Sequence, residues 1–243
     1  MRTPTTVVIT ATICLLAAGC GGSSNEATTT TQASSGTTSS TTTSVAPATT
    51  SAAPVAESAI DALLLTPSEI DAATGTTGME VATTSNALAT DIQVPADAPA
   101  EKIACVGIAG TAEAQAYADS GSTAVRDQVL QTSDGQATAV QSVILFGSAD
   151  QARAFFDGST EKWRSCKQFS GAESTTTVGP VTTDNDTLST TITTKRDNGS
   201  VTVCERALRV ANNVAIEASA CGAEAGGAAV TITANVATKV AGR

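Results

Sequence analysis

The sequence predicts an α+β domain in which helices pack on an antiparallel sheet that is stapled by two disulfides. Segments rich in β-branched residues occur as consecutive runs, between segments with helical spacing of apolar residues. Turn signals join these runs into hairpins, with Asp-Gly at 134–135 and Asn-Asn at 212–213. Four cysteines, an even number, remain in the part of the chain that is predicted to be exported.

The N-terminus carries an export signal that ends in a lipidation motif. Arg2 precedes an apolar stretch at 7–18, which at ~1.5 Å per residue is too short for a ~30 Å hydrocarbon core and is typical of a signal peptide. The residues Leu-Ala-Ala-Gly before Cys20 resemble a bacterial lipobox. The resemblance implies that 1–19 is removed and that Cys20 carries a diacylglycerol and a further acyl chain such as palmitate. An ordinary secretory signal with cleavage nearby is the alternative.

Residues 20–57 are predicted to form a disordered tether between the lipidated cysteine and the domain. Ser and Thr fill 17 of the 24 positions in 28–51, and no charged residue occurs in 27–56. Such a segment buries too little apolar surface to offset the entropy of ordering. Its composition is also typical of O-glycosylated stalks, and a bare tether is the alternative. The extracytoplasmic domain is predicted to occupy 58–243.

The first half of the domain contains one strong helix signal. Thr66, Pro67 and Glu69 match an N-cap, a first-turn proline and a capping-box acid, and Gly75 is placed to end the helix. The other elements predicted in this half are a helix at 111–118, an extended segment at 125–130 and a strand at 137–146. In the last of these, Val140, Ile144 and Phe146 are expected on one face of the sheet.

The second half begins with a long helix. Ser148 is its predicted N-cap, with Gln151 at the third helical position, and an apolar stripe follows with 3.6-residue spacing. The stripe consists of Phe155, Phe156, Ser159, Trp163 and Cys166. Three strands and a final helix complete the domain, at 187–195, 201–210, 214–221 and 228–240.

Four cysteines remain after the signal and Cys20 are set aside, and hairpin geometry selects one of their three pairings. If 212–213 is a two-residue loop, Cys204 lies opposite Cys221 in a non-hydrogen-bonded pair, where Cα atoms approach to ~4.5 Å. Cys105 is then left to pair with Cys166. A zinc site is excluded by the spacing and by the absence of histidine, and no Cys-x-x-Cys motif supports a redox-active dithiol.

Composition and charge exclude several classes of function. The chain has 243 residues, with 13 basic and 23 acidic side chains and a formal net charge of −10. Phosphate binding requires clustered cations, so no nucleic-acid partner is expected. The chain contains no histidine, which excludes a Ser-His-Asp or Cys-His catalytic unit and an imidazole-bound metal. No catalytic residue, metal or cofactor is therefore predicted.

Several segments together resemble the extracellular sensor domain of the mycobacterial PknH-type receptor serine/threonine kinases, a domain that also occurs alone in exported lipoproteins. These segments are Leu64-Leu65-Thr66-Pro67, Cys105 ahead of Tyr117, Trp163-Arg164-Ser165-Cys166, Cys204-Glu205-Arg206 and Ala220-Cys221-Gly222. The resemblance covers about 58–243 and includes all four remaining cysteines in order. It implies an antiparallel sheet with packed helices, disulfides paired in sequence order, and a cleft for an unidentified ligand. It supplies no catalytic residues, and the chain lacks the kinase motifs.

The ligand-binding candidates are few in a chain with six aromatic residues. Tyr117, Phe155 and Trp163 are candidates to line an apolar cleft, although such a stripe is also typical of a core. Arg206 and Arg209 are candidates to bind a carboxylate or phosphate group.

The sequence thus predicts a lipoprotein anchored by lipid on the extracytoplasmic (periplasmic) face of the cell membrane, whose sensor-like domain binds a small ligand or an envelope component. One alternative is an interaction protein that modulates an envelope kinase or assembly. Another is a carboxylate-dependent hydrolase of envelope glycans, which would need two acids facing each other across a cleft.

Overall fold

The computed structural model describes residues 52–184, 186–222 and 226–243. The predicted signal peptide, Cys20 and nearly all of the predicted tether lie outside these ranges. Nine strands are present in the described residues: β1 (Met79–Ser85), β2 (Ser122–Thr132), β3 (Thr138–Phe146), β4 (Gln168–Gly171), β5 (Ser174–Val178), β6 (Thr182–Asp184), β7 (Thr187–Arg196), β8 (Val201–Ala211) and β9 (Val214–Cys221). The helices are a 3₁₀ helix (Glu57–Leu63), α1 (Pro67–Thr74), α2 (Ala100–Ala104), α3 (Val106–Ala109), α4 (Ala114–Tyr117), α5 (Ala149–Ser165) and α6 (Ala228–Ala241).

All nine strands belong to one antiparallel sheet. Its order is β1-β2-β3-β9-β8-β7-β5-β4, and the short β6 also pairs with β7. Two consecutive hairpins, β7–β8 and β8–β9, share β8, which lies near the middle of the sheet. This arrangement confirms the predicted α+β class with helices packed on an antiparallel sheet.

Both faces of the sheet are covered by helices. On β3, Val143 and Leu145 belong to one cluster of buried side chains, whereas Ile144 and Phe146 belong to a second. Neighbouring residues of a strand point to opposite faces, so each face carries its own core. The first cluster includes residues of the 3₁₀ helix, α1 and α6, and we call this side the α6 face. The second includes residues of α3, α4 and α5, and we call it the α5 face.

The hydrogen bonds expected at the predicted helix starts are present. Thr66 and Glu69 form a complete capping box at the start of α1: the Glu69 N–H donates to Thr66 Oγ1 (3.3 Å) and the Thr66 N–H donates to Glu69 Oε2 (2.6 Å). Gly75 ends α1 in the left-handed conformation, with φ of 69°. Ser148 Oγ accepts the Gln151 N–H at the start of α5 (3.3 Å). These helix starts can be predicted from the sequence because each involves residues only a few positions apart.

Some elements differ from the prediction. The strands β1, β4, β5 and β6 were not predicted, because they are short or exposed and lack alternation of apolar and polar residues. The helix expected at 111–118 is reduced to the four residues of α4. The cause is the backbone of Ala112, whose positive φ of 50° is incompatible with a right-handed helix.

Both predicted disulfides are present. Cys204 pairs with Cys221 in the β8–β9 register, with Cα atoms 4.1 Å apart, as the hairpin arithmetic predicts. Cys105 is bonded to Cys166 with a Cα separation of 5.0 Å, and this bond ties the end of α2 to the end of α5. In the loop-entropy model each bond contributes about 3–4.5 kcal/mol to the free energy of unfolding.

The packed domain begins earlier than residue 58, because the β8–β9 turn binds the incoming chain. Asn213 is 2% exposed, and its side chain accepts the Val55 N–H (2.7 Å) and donates to the carbonyl oxygens of Val55 (3.1 Å) and Phe146 (2.8 Å). Val55 is itself buried in the core of the α6 face. The asparagine thus fixes the chain at Val55 to the rest of the domain.

We expect Asn213→Ala to lower the free energy of unfolding by about 2–4 kcal/mol, because it leaves buried backbone groups of Val55 and Phe146 without partners. The matched control is Asn212→Gly, which removes one exposed contact and suits the positive φ of that position. Urea unfolding of both variants measures the difference. Equal losses in the two variants would contradict the assigned role of Asn213.

Candidate functional site

A buried ion pair lies at the centre of the α5 face. Arg206 on β8 and Glu217 on β9 point to this face, and their side chains are 2% and 3% exposed. Arg206 Nη2 lies 2.9 Å from Glu217 Oε2. A buried charge without a partner is strongly destabilising, so each of these two groups requires the other.

Arg206 also binds the segment that crosses over it. Its Nη2 donates to the carbonyl oxygens of Gly107 (3.0 Å) and Gly110 (2.9 Å), and its Nη1 donates to the Ala218 carbonyl (3.3 Å). A Cβ at Gly110 would collide with the Glu113 side chain, so a larger residue there would require that side chain to move. The guanidinium thus holds the segment between α3 and α4 against the sheet.

Glu217 receives further donors from the same segment. The Tyr117 hydroxyl donates to Glu217 Oε1 at 2.5 Å, and the backbone N–H of Ala112 also donates to this carboxylate. Ala112 adopts its positive φ where its N–H meets Glu217. A non-glycine residue in this conformation is strained and persists where surrounding contacts fix it.

Burial controls the ionisation of these groups. Burial and the adjacent Glu217 carboxylate raise the pKa of Tyr117 well above its ordinary value, so the phenol stays protonated and donates. Burial also raises the pKa of Glu217, while Arg206 opposes that shift. The pKa values of Glu113 and Asp127 are raised by burial as well. If Glu113, Asp127 and Glu217 were all ionised, their three negative charges would exceed the single positive charge of Arg206.

Four of the five predicted ligand-binding residues belong to this core. Tyr117 stacks on Phe155 with ring centroids 4.3 Å apart, and Trp163 lies with its ring 6.0 Å from the Arg206 guanidinium. The cavity that Phe155 and Trp163 border has a volume of about 20 Å³, which accommodates a water molecule but no larger ligand. In this structure these aromatic residues pack the interior, the alternative that the sequence left open.

The two predicted anion-binding arginines do not share a site. Arg206 is buried on the α5 face with its ion pair, whereas Arg209 lies an odd number of residues away on β8 and points to the α6 face. Arg209 is half-buried, and its Nε has no hydrogen-bond partner among the described residues.

A large open groove lies at a different place, at the end of the sheet where β8 begins. Its volume is about 1000 Å³. It is bounded by the β2–β3 turn at Gln136, the start of β3 at Thr138, Thr191 on β7, and Val201 and Val203 on β8. No aromatic side chain is among the described residues that line it.

The groove exposes apolar surface near the start of α6. Val201 and Val203 are 58% and 43% exposed, although both point to the same face as α6. At the groove edge, Glu205 accepts the Ala229 N–H (2.7 Å) and so caps α6, and burial raises the pKa of this carboxyl. This site was not predicted from the sequence, in which the available signal is two valines two positions apart beside the 197–199 turn.

The described residues offer little support for a hydrolase or metal site. Glu205 is the one carboxylate among the described residues that line the groove, and it is bonded to α6. A glycan hydrolase needs two facing acids. No group of three or more potential metal ligands is found in the part of the chain that the structure describes. Within the same ranges, no helix has the length and apolarity needed to span a membrane.

Comparison with known proteins identifies similarity across most of the chain. The model of the family described as PknH-like extracellular domain matches residues 55–239. The serine/threonine-protein kinases PknH of Mycobacterium bovis and Mycobacterium tuberculosis are each 31% identical over 200 residues, which is 77% of this chain. This chain spans 30–32% of the length of those kinases. The crystal structure of the extracellular domain of PknH from Mycobacterium tuberculosis superposes with a TM-score of 0.70 at 28% identity, covering 79% of this chain and 99% of that domain.

We expect Arg206→Met to lower the free energy of unfolding by about 3–5 kcal/mol, because it leaves the Glu217 carboxylate buried and unpaired. Adding Glu217→Gln should recover part of this loss, since an amide carries no charge. Arg209→Met, on the same strand but without an ion pair to Glu217, is the matched control and should lose about 1 kcal/mol. Chemical denaturation gives all three values. A double variant no more stable than Arg206→Met would argue against a charge-based role.

Proposed function

Because the chain belongs to the family of PknH-like extracellular domains, we propose that it is a membrane-anchored extracytoplasmic lipoprotein that binds a small ligand or an envelope component in the groove at the start of β8. The sensor-type domain is the part that it shares with the kinases. The proposal assigns it recognition rather than catalysis, in keeping with the absence of histidine from the chain.

The groove is the observation that carries the binding proposal. A concavity of about 1000 Å³ reaches the upper end of the range for ligand sites. It combines the exposed side chains of Val201 and Val203 with the hydroxyl groups of Thr138 and Thr191. Apolar surface left open to water beside polar groups is typical of a recognition site.

The position of the tether supports the same assignment. The chain from the predicted anchor joins the domain at Val55, beside the β8–β9 turn, whereas the groove lies at the opposite end of β8. The eight residue steps from Val203 to Ala211 span about 27 Å. The groove is therefore remote from Val55, where the chain enters the core.

Lipid anchoring is tested by expressing the Cys20→Ala variant in a mycobacterial host. We expect this variant to move from the detergent phase to the aqueous phase on Triton X-114 partitioning, because acyl chains contribute ~0.8 kcal/mol per buried methylene to membrane binding. Cys14→Ala, in the apolar stretch of the signal, is the matched control and should stay in the detergent phase. Retention of the Cys20→Ala protein in the detergent phase would refute lipid anchoring.

Groove binding is tested by native mass spectrometry of the full chain purified from a mycobacterial host. We expect a co-purifying mass on the wild-type protein, and at least a tenfold lower occupancy in Thr191→Trp, whose indole fills the groove. Thr84→Trp, on the exposed strand β1 and outside the groove, should keep the wild-type occupancy. A wild-type protein without any bound mass, or equal occupancy in both variants, would contradict the proposal.

A further inference from the structure

The ion pair between Arg206 and Glu217 lies beneath residues 107–117, which we call the crossing segment. This segment runs from α3 to the end of α4 and supplies two backbone carbonyl groups and a tyrosine hydroxyl that bind the pair. Two further carboxyl groups interact electrostatically with Arg206: Glu113 of the crossing segment and Asp127 of β2. Three acids and one guanidinium are therefore gathered between the crossing segment and the sheet.

Glu113 is a buried acid without a cationic partner in the described part of the chain. It is 3% exposed, and its Oε2 accepts the Ile92 N–H at 3.3 Å. The guanidinium of Arg206 is already bonded to Glu217 and to three carbonyl groups. Burial raises the pKa of Glu113, and the negative charges of Asp91 and Glu217 raise it further.

Asp127 is a second acid for which the described residues provide no ion pair. It is half-buried on β2, where its Oδ1 accepts the hydroxyl groups of Ser142 (2.5 Å) and Thr111 (3.5 Å). Burial raises the pKa of Asp127, although the hydrogen bond from Ser142 opposes this shift. Because Thr111 belongs to the crossing segment, the charge of Asp127 lies at the contact between that segment and β2.

The other charged group at this contact leaves the excess of acids in place. Lys162 of α5 borders the same small cavity as Glu217, but it is exposed, so water and salt screen its charge. The titratable and charged groups that face the cluster are Asp91, Glu113 and Tyr117 from the chain that includes the crossing segment, Asp127 from β2, Arg206 from β8, Glu217 from β9 and Lys162 from α5.

The crossing segment is built for local opening. Its two helices, α3 and α4, have four residues each, and Ala112 between them has the strained φ of 50°. The Cys105–Cys166 disulfide fixes the chain just before the segment, and β2 begins at Ser122 after it. Short elements open at a lower free-energy cost than the strands of a sheet. The segment can therefore leave the sheet while the chain on both sides of it stays in place.

We propose that the crossing segment is a proton-operated latch, which stays closed on the sheet while Glu113 and Asp127 are protonated and opens more readily when they are ionised. Ionised, they and Glu217 place three negative charges against one guanidinium in a contact of low dielectric, where repulsion is strong. Protonated, they are neutral, and Arg206 and Glu217 balance one to one. The latch does not depend on what the groove binds.

The sign of the pH dependence follows from proton linkage. Opening returns the carboxyl groups to water and to their ordinary pKa values of ~4, so the closed state binds more protons than the open state. The closed state is fully stabilised below about pH 4, and this stabilisation is lost as the pH rises through the raised pKa values of Glu113 and Asp127. The pKa of Glu217, raised by burial against the charge of Arg206, acts in the same direction.

The first test is amide hydrogen exchange of the mature chain at about pH 5 and about pH 7, corrected for the intrinsic pH dependence of exchange. The probes are the Ala89 N–H, bonded to the Ala112 carbonyl (2.9 Å), and the Ala114 N–H, bonded to the Ala89 carbonyl (2.8 Å). Their protection should fall about fivefold or more between the two pH values. At the higher pH they should also exchange about tenfold or more faster than Ala207 in the middle of β8.

Two results of this test would overturn the latch. Protection of Ala89 and Ala114 that stays constant or rises with pH would contradict the sign of the linkage. Protection equal to that of Ala207 at both pH values would show that these amides exchange only when the whole domain unfolds.

The second test uses the double variant Glu113→Gln, Asp127→Asn, whose amides are neutral at every pH. The variant should protect Ala89 and Ala114 more strongly than the wild type at the higher pH, and its loss of protection between the two pH values should be about twofold or less. The matched control is Glu173→Gln, which changes an exposed acid in the β4–β5 turn and should keep the wild-type loss. Equal losses in the double variant and the wild type would refute the latch.

A titration of the wild-type protein decides the question if the double variant fails to fold. Carbon-13 NMR of the side-chain carboxyl groups should show Glu113 and Asp127 titrating at a higher pH than Glu173. The loss of amide protection should occur over the same pH range. Titration of both acids at or below the pH of Glu173, or a loss of protection over a different range, would reject the proposal.

Discussion

The buried ion pair between Arg206 and Glu217 is the constraint on which the α5 face depends. Two neighbouring strands bring the charges together inside a low-dielectric core, where neither is tolerated alone. Further hydrogen bonds join the pair to the carbonyl groups of Gly107 and Gly110 and to the Tyr117 hydroxyl, whereas Arg206 Nε has no hydrogen-bond partner among the described residues. A segment with little regular structure is thereby given a defined path, and the Cys105–Cys166 disulfide fixes the same segment covalently to α5.

The two ends of β8 have different roles. At one end, the β8–β9 turn is closed: Asn213 binds the incoming chain and the end of β3. At the other end lies the groove, where the β8–β9 pairing ends at Cys221 and α6 begins at Ala228. The Cys204–Cys221 disulfide lies at the last pair before the opening. It therefore limits fraying of β9 beside the groove.

The elements that could be predicted from sequence are those specified by short-range rules. The length of the β8–β9 loop determines the register of the hairpin, so the partner of Cys204 followed from counting residues outward from Asn212 and Asn213. The capping box at Thr66 involves residues three apart and was equally predictable. The strand β1 was not, because Met79 is its one buried residue and its remaining side chains carry no pattern. Edge strands of this kind are defined by their neighbour rather than by themselves.

The candidate site was harder to predict, for a physical reason. An aromatic stripe and an arginine on a strand have the same sequence signature whether they line a cleft or fill a core, and Trp163 and Arg206 fill the core. The groove lies where β9 ends, at Cys221, and where α6 begins, at Ala228. No local sequence pattern specifies where two elements end or begin relative to a third. Only the pair Val201 and Val203 left a trace in the sequence.

The position of Trp163 has a practical consequence for spectroscopy. It is the chain's single tryptophan, and its indole lies beside the Arg206 guanidinium and Gly107. Its emission wavelength and lifetime therefore report on hydration around the ion pair, with no background from a second indole. Trp163 is thus an intrinsic fluorophore in the interior of the domain, and no dye has to be attached to the surface.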